Sequence, residues 1–215
     1  MSEAEKALAA EAAAALVQDG MRVGLGTGST VAHLLPAIAA RGLAGLRCVA
    51  TSLATEAAAR ELGLEVLALD EVGELDIAID GADQVDPSGW LIKGGGAAHT
   101  REKIVAAAAS RFIVIASSEK VVRSLTPPVP IEVLRFGAQS TLRALAPSEL
   151  RDVPPSPDGG LIADYLAPFD DPGALAARLS STPGVVGHGL FAPELVSVIL
   201  IARDGRLERR PGGKP

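Results

Sequence analysis

Short apolar runs punctuate the first 120 residues: one opens at Met21, and others span Leu46–Ala50, Val66–Leu69, Leu75–Ile79 and Phe112–Ala116. Helical stretches separate most of them. One runs from Ser29 to about Ala40, a second follows Ser52 and ends near Gly63, and a third opens around Glu102. Runs this short and this apolar fit strands buried on both faces, which restricts the architecture to a mostly parallel sheet covered by helices on both sides. An alanine-rich helix precedes them, running to about Asp19 and closed by Gly20, with Ser2-x-x-Glu5 as a capping box.

After Thr126 the texture changes. Pro127-Pro-Val-Pro130 and Arg151–Gly160 are rich in proline or glycine. Around them the pattern predicts strand Ile131–Leu134, helix Gly137–Leu145, strand Leu161–Leu166, helix Pro172–Leu179 and strands near Val185–Phe191 and Leu195–Ala202. The expected fold is therefore α/β: a main sheet unit over 1–126 and, after it, a smaller α+β unit with an antiparallel sheet. The tail 203–215, ending Gly-Gly-Lys-Pro, is expected to fray.

Composition removes several classes of function. The net charge is −6 and only 3% of residues are aromatic, so a basic stripe and stacking platforms for nucleic acid are lacking. No run of about 18 apolar residues occurs to span a membrane, and the N-terminus has no secretion signal pattern. Cys48 is the single cysteine, which rules out an intramolecular disulfide or a cysteine metal cluster and fits a reducing cytoplasm.

In open parallel sheets, ligands bind at the carboxyl ends of the strands, and the polar motifs fall there. The turn Gly24-Leu-Gly-Thr-Gly-Ser-Thr30 precedes a helix, so its free amides and the helix dipole favour an anion. Its spacing fits neither a dinucleotide fingerprint, where Ser29 replaces a glycine, nor a P-loop, where Gly28 replaces the lysine. A compact phosphate suits it; so does a tight turn with no ligand. Asp80-Gly-Ala-Asp83 sets two carboxylates close together, for proton exchange, metal binding or turn capping. The scattered histidines His33, His99 and His188 lack ligand spacing, which argues against metal, and His99 is expected as a partly buried loop residue. Lys93-Gly-Gly-Gly-Ala-Ala-His-Thr-Arg-Glu102 joins a cation, a loop whose amides can crowd an oxyanion, and a first-turn carboxylate. That combination suggests proton chemistry beside a carbonyl, although a flexible turn with an ordinary helix acid fits the same residues. Lys6, near a helix start where a cation is mildly unfavourable, hints at a role away from the helix.

Taken as a set, Gly24–Thr30, Thr51-Ser-Leu-Ala-Thr-Glu56, Asp80-Gly-Ala-Asp83 and Lys93–Lys103 resemble type A ribose-5-phosphate isomerase in order and spacing. The resemblance implies a Rossmann-like sheet to which the last strand and tail, 199–215, return, leaving 127–198 as the smaller unit, and interconversion of ribose 5-phosphate and ribulose 5-phosphate, in the non-oxidative pentose phosphate pathway. It implies Glu102 as base, with Asp80, Asp83 and Lys93 at the reacting end of the sugar. It also implies that Lys6, Thr27, Gly28, Ser29 and Thr30 hold the ligand, that Lys120 lies near the site, and that Gly94, Gly95 and Gly96 supply amides. No cofactor or metal is implied. A homo-oligomer, dimer or tetramer, in the cytoplasm is expected. Two departures stand inside the match: Gln84 replaces an acid, and Ser117-Ser-Glu-Lys120 replaces Asp-x-Ser-Lys. A sugar-phosphate sensor without turnover is the alternative; it would need the anion turn but not Glu102, Lys93 and the aspartates together.

Overall fold

The computed structural model describes residues 2–214, with the side chain of Ser2 also outside the described set. In chain order the elements are α1 (Ser2–Ala14), β1 (Arg22–Leu25), α2 (Ser29–Ala39), β2 (Arg47–Ala50), α3 (Leu53–Glu61), α4 (Leu69–Val72), β3 (Leu75–Gly81), β4 (Gln84–Val85), β5 (Leu91–Ile92), α5 (His99–Ala108) and β6 (Ala109–Ser117). There follow β7 (Val129–Val133), α6 (Ala138–Ala144), β8 (Ser148–Leu150), β9 (Leu161–Tyr165), α7 (Pro172–Ser181), β10 (Val185–His188), β11 (Leu190–Phe191), β12 (Val198–Arg203) and β13 (Arg206–Pro211).

The main sheet has the order β13-β12-β6-β3-β1-β2, and only β13 runs antiparallel to its neighbour. Period-two alternation sends its side chains into two cores. Ile77, Ile79, Ile113 and Ile115 pack with Ala9, Ala13, Leu34 and Ile38 of α1 and α2. Ala78, Phe112 and Val114 pack on the other side with Val105 and Ala106 of α5. Each large side chain buried in this way stabilises the fold by about 1.5–3 kcal/mol. The strand order reverses between β1 and β3, which opens the crevice at their carboxyl ends.

A second sheet, β10-β7-β9-β8, is antiparallel and carries its own core with α6 and α7, including Val129, Ile131, Leu142, Tyr165, Leu175 and Leu179. A small third sheet, β11-β5-β4, ties the two together: Phe191 pairs with Leu91, Leu190 with Ile92, and the Lys93 amide donates to Gly189 O at 2.8 Å.

Several sequence expectations need correction. The tail does not fray: β13 pairs with β12 over six residues, because Asp204 and Gly205 make a tight hairpin turn, with Asp204 at φ 49° and Gly205 at φ 72°. Val66–Leu69 is one bridge from Val66 to Cys48 and then the start of α4, since β2 continues to pair only at that point. Helix α1 stops at Ala14. The Ser2 half of the expected capping box lies outside the described residues. Its other half, Glu5, is buried and accepts from Ser118 N at 2.9 Å, Ser118 Oγ at 2.8 Å and Asp204 N at 3.2 Å, so it fastens α1 to the far end of the sheet. His99 is fully buried and opens α5 rather than lying in a loop.

Candidate active site

The crevice at the strand-order reversal is lined by Thr27, Gly28, Ser29, Thr30, Gly81, Ala82, Asp83, Lys93, Gly94, Gly95, Gly96, Glu102 and Lys120. Eleven of the thirteen candidate residues, all but Lys6 and Asp80, line it, and each element has a local reason for bringing its share. β1 ends at Leu25, and Gly26 sits where any Cβ would collide with the Asp80 carboxyl. The turn can therefore pass directly over the end of β3. Asp80 Oδ1 accepts from Thr27 N at 3.1 Å and Gly81 N at 2.7 Å, so this buried carboxylate holds both strand ends together.

The first turn of α2 has no side-chain cap, which leaves its amides for an anion. Thr27 Oγ1 is held by Thr51 Oγ1 at 2.8 Å, while Ser52 Oγ caps α3 by accepting from Thr55 N at 3.1 Å. Thr51 and Ser52 line a larger neighbouring cavity of about 370 Å³, which shares Gly95 and Gly96 with the crevice. That cavity is walled in part by Val153–Asp158 and holds neither Lys93 nor Glu102, both of which line the smaller crevice.

Lys93 is the centre of the site. Its Nζ donates to Gly81 O at 2.7 Å and stands 2.9 Å from Asp80 Oδ2 and 3.1 Å from Glu102 Oε2. All three side chains are about 3% exposed. The Lys93–carboxylate distances are those of ion pairs, but their angles fall outside good hydrogen-bond geometry, so Asp80 Oδ2 and Glu102 Oε2 keep accepting capacity. Burial alone would lower the Lys93 ammonium's pKa, yet the charges of Asp80 and Glu102 outweigh it and hold the group protonated. Glu102 is pushed up to about 8, first by burial and then by the Asp80 charge, against the pull of Lys93. Burial pushes Asp80 upward as well, opposed by Lys93 and the two amides. One cation thus faces two carboxylates. Asp80 also accepts two backbone N–H bonds, which Glu102 does not, and these favour its charged form.

Helix α5 aims Glu102 inward because His99, Glu102, Val105 and Ala106 form its buried face. Asp83 Oδ2 accepts from Gly95 N at 2.7 Å, which fixes the glycine loop against the acid pair. Lys6 is placed differently from the rest: its Nζ pairs with Glu3 at 2.6 Å, and it does not line the crevice. Gln84 bonds both ways with the backbone of Thr126, from Nε2 to O at 2.9 Å and from N to Oε1 at 2.9 Å, and so serves the chain's turn into β7.

Sequence reasoning missed two neighbours. Lys103 Nζ donates to His188 O at 2.7 Å and lies 4.9 Å from the Phe191 ring centre; burial lowers its pKa to about 7. Arg151 reaches the carbonyls of Gly94 and Gly95 from the second sheet. Neither has a local signal, since each acts across a long chain separation. Among the described residues, no group of three or more His, Cys, Asp or Glu is placed to hold a metal ion, and no helix is long and apolar enough to cross a membrane.

Uncapped helix amides and a buried acid–lysine–acid cluster meet at one crevice of an open α/β sheet, a class of site able to hold an anion beside proton-transfer groups. Comparison with known proteins makes the class particular. Residues 47–206 match the family model "Ribose 5-phosphate isomerase A (phosphoriboisomerase A)". The chain is 48% identical to ribose-5-phosphate isomerase A of Caulobacter vibrioides (strain NA1000 / CB15N), covering 93% of this chain and 94% of that protein. It superposes with a TM-score of 0.93 on ribose 5 phosphate isomerase A from Neisseria gonorrhoeae, at 30% identity over 99% of this chain and 98% of that one. A D-ribose-5-phosphate isomerase solved in complex with phospho-erythronic acid gives a TM-score of 0.91 at 33% identity, over 98% of this chain and 99% of that one. The chain belongs to the ribose 5-phosphate isomerase A family.

Proposed function

We propose that the protein interconverts D-ribose 5-phosphate and D-ribulose 5-phosphate by proton transfer through an enediol or enediolate, without a metal. The observation that carries this reading is the Lys93 ammonium, 2.9 Å from Asp80 and 3.1 Å from Glu102 in one buried cluster beside the glycine loop. Glu102 takes the proton from C2 of the aldose and returns it to C1. A base whose pKa lies near the working pH suits this step. Lys93 and the loop amides stabilise the oxygen that becomes negative, and an aspartate of the Asp80/Asp83 pair moves the hydroxyl protons. Thr27–Thr30 and Lys120 hold the phosphate. Lys6 joins them by leaving Glu3, whose side chain is 70% exposed, so the pair it gives up is a solvent-screened one.

The test is a coupled assay for ribulose 5-phosphate on wild type and Glu102→Gln. The variant keeps size and hydrogen bonding and loses the proton acceptor. Turnover should fall by at least about 10²–10⁴-fold, and solvent-deuterium exchange at C2 should fall with it, while substrate still binds. A folded Glu102→Gln variant within a few-fold of wild type would make Glu102 a structural acid. Activity should also survive exhaustive chelation; loss restored only by a divalent ion would reject the metal-free route. We further place the protein in the cytoplasm as a homodimer or tetramer, which light scattering would read as a multiple of 21.9 kDa.

A further inference from the structure

Triple glycine makes a poor fixed donor by itself, because glycine loses the most backbone freedom on ordering. Here the loop is gripped from outside. Arg151, just after β8, is clamped by Asp164 of β9: Nε donates to Oδ2 at 2.7 Å and Nη2 to Oδ1 at 2.6 Å. Both side chains are largely buried. The third nitrogen, Nη1, donates to Gly94 O at 2.8 Å and to Gly95 O at 3.3 Å. Those carbonyls belong to the peptide units that carry Gly95 N–H and Gly96 N–H. Gly95 N donates to Asp83 Oδ2 at 2.7 Å, and Gly96 lines the crevice. A cation on the oxygen end of a peptide unit draws electron density toward it and strengthens the N–H at the other end as a donor. The charge thus sits behind the loop, with the amides in front.

We propose that Arg151 is a positioning residue for the reaction, holding the Gly94–Gly96 loop and polarising its amides toward Asp83 and the oxygen that becomes negative. The inference rests on the reading of this loop as the reacting end. It means that the second sheet contributes to the chemistry through one side chain that never touches substrate.

Arg151→Met alone would strand the Asp164 carboxylate, so the pair Arg151→Met with Asp164→Asn is used beside Arg151→Lys in the full-length protein. Two probes separate the ends of the site: phospho-erythronic acid, whose carboxylate resembles an enediolate in shape and charge, and inorganic phosphate, which reports the anion turn alone. In the double variant kcat should fall by at least about tenfold with KM within about threefold. The inhibition constant of phospho-erythronic acid should rise by a similar factor, and that of phosphate should stay unchanged. Arg151→Lys should recover part of the lost kcat, because it keeps a cation near Gly94 O. The proposal is overturned if kcat stays within about twofold, if both inhibitors weaken equally, or if the lysine variant is no better than the double variant. Glu102→Gln, assayed alongside, separates the two readings. If it too is fully active, the assignment of the reacting end has failed; if it is inactive while the Arg151 variants are normal, only the role of Arg151 has failed.

Discussion

Lys93 answers two carboxylates with one charge, and this shortage sets the pH behaviour of the site. Glu102 must lose its proton to act as base, and burial with Asp80 beside it raises its pKa to about 8. kcat/KM should therefore climb with pH through neutrality and level off above about 8. Asp80→Asn removes the neighbouring negative charge, so Lys93 would serve Glu102 alone and the acid limb should shift to lower pH. A pH–rate profile of both proteins checks this; an unmoved limb would mean that Asp80 does not raise Glu102. Gly26 is constrained just as tightly, because a Cβ there meets the Asp80 carboxyl. Gly26→Ala should cost about 1–3 kcal/mol of stability through overpacking and lower kcat/KM by a larger factor than KM alone explains. Thermal melting and steady-state kinetics read the two effects separately.

Each element does one job in the site. α2 has an uncapped first turn with free amides, α5 turns one face onto the sheet and carries Glu102 on it, and β3 carries near its end Asp80, which bonds the Thr27 amide and pairs with Lys93. If α2 reads the phosphate, about three charge-assisted hydrogen bonds are at stake, at ~1.5–3 kcal/mol each. Free ribose should then be worse than its 5-phosphate by at least about 10³-fold in kcat/KM, since binding energy at the far end positions the reacting end. Comparable values for the two sugars would remove that role from the turn.

At the scale of the whole molecule, the junction of the two larger sheets is where titratable groups are buried. His188 accepts from Leu190 N at 3.3 Å and lies 3.1 Å from Ser180 Oγ and 3.2 Å from Lys103 Nζ. Burial first, and then the Lys103 charge, press both His99 and His188 down to about 3. An unfolded histidine takes a proton near 6.5. Between those values the unfolded chain binds more protons, so the stability present above pH 6.5 is lost as pH falls toward 3. Glu102 acts in the opposite sense between 4.5 and about 8, where the folded state holds the extra proton. His188→Gln should therefore flatten the fall in stability between about pH 6 and 4 relative to wild type, by up to ~1.4 kcal/mol per pH unit. Urea unfolding across that range measures it, and an identical slope would show that His188 is already charged in the fold.

The sequence alone determined the parallel sheet, because Leu75–Ile79 and Phe112–Ala116 are too apolar and too short for anything but doubly covered strands. It also determined the chemical parts of the crevice, since glycine turns and acids next to strand ends depend on local backbone geometry and short spacing. It misjudged the tail, where β13 exists only because β12 presents an edge to pair with, and it misjudged His99, whose burial is created by the loop and strand that close over α5. Tertiary structure alone decided that Lys93 faces both Asp80 and Glu102, and that Arg151 reaches Gly94 across 57 residues. The first depends on how the ends of β3, β5 and α5 converge, and the second on how the two larger sheets meet; neither leaves a periodicity in the chain to read. The charge balance around Glu102 is fixed by that convergence, through burial and the charges of Asp80 and Lys93.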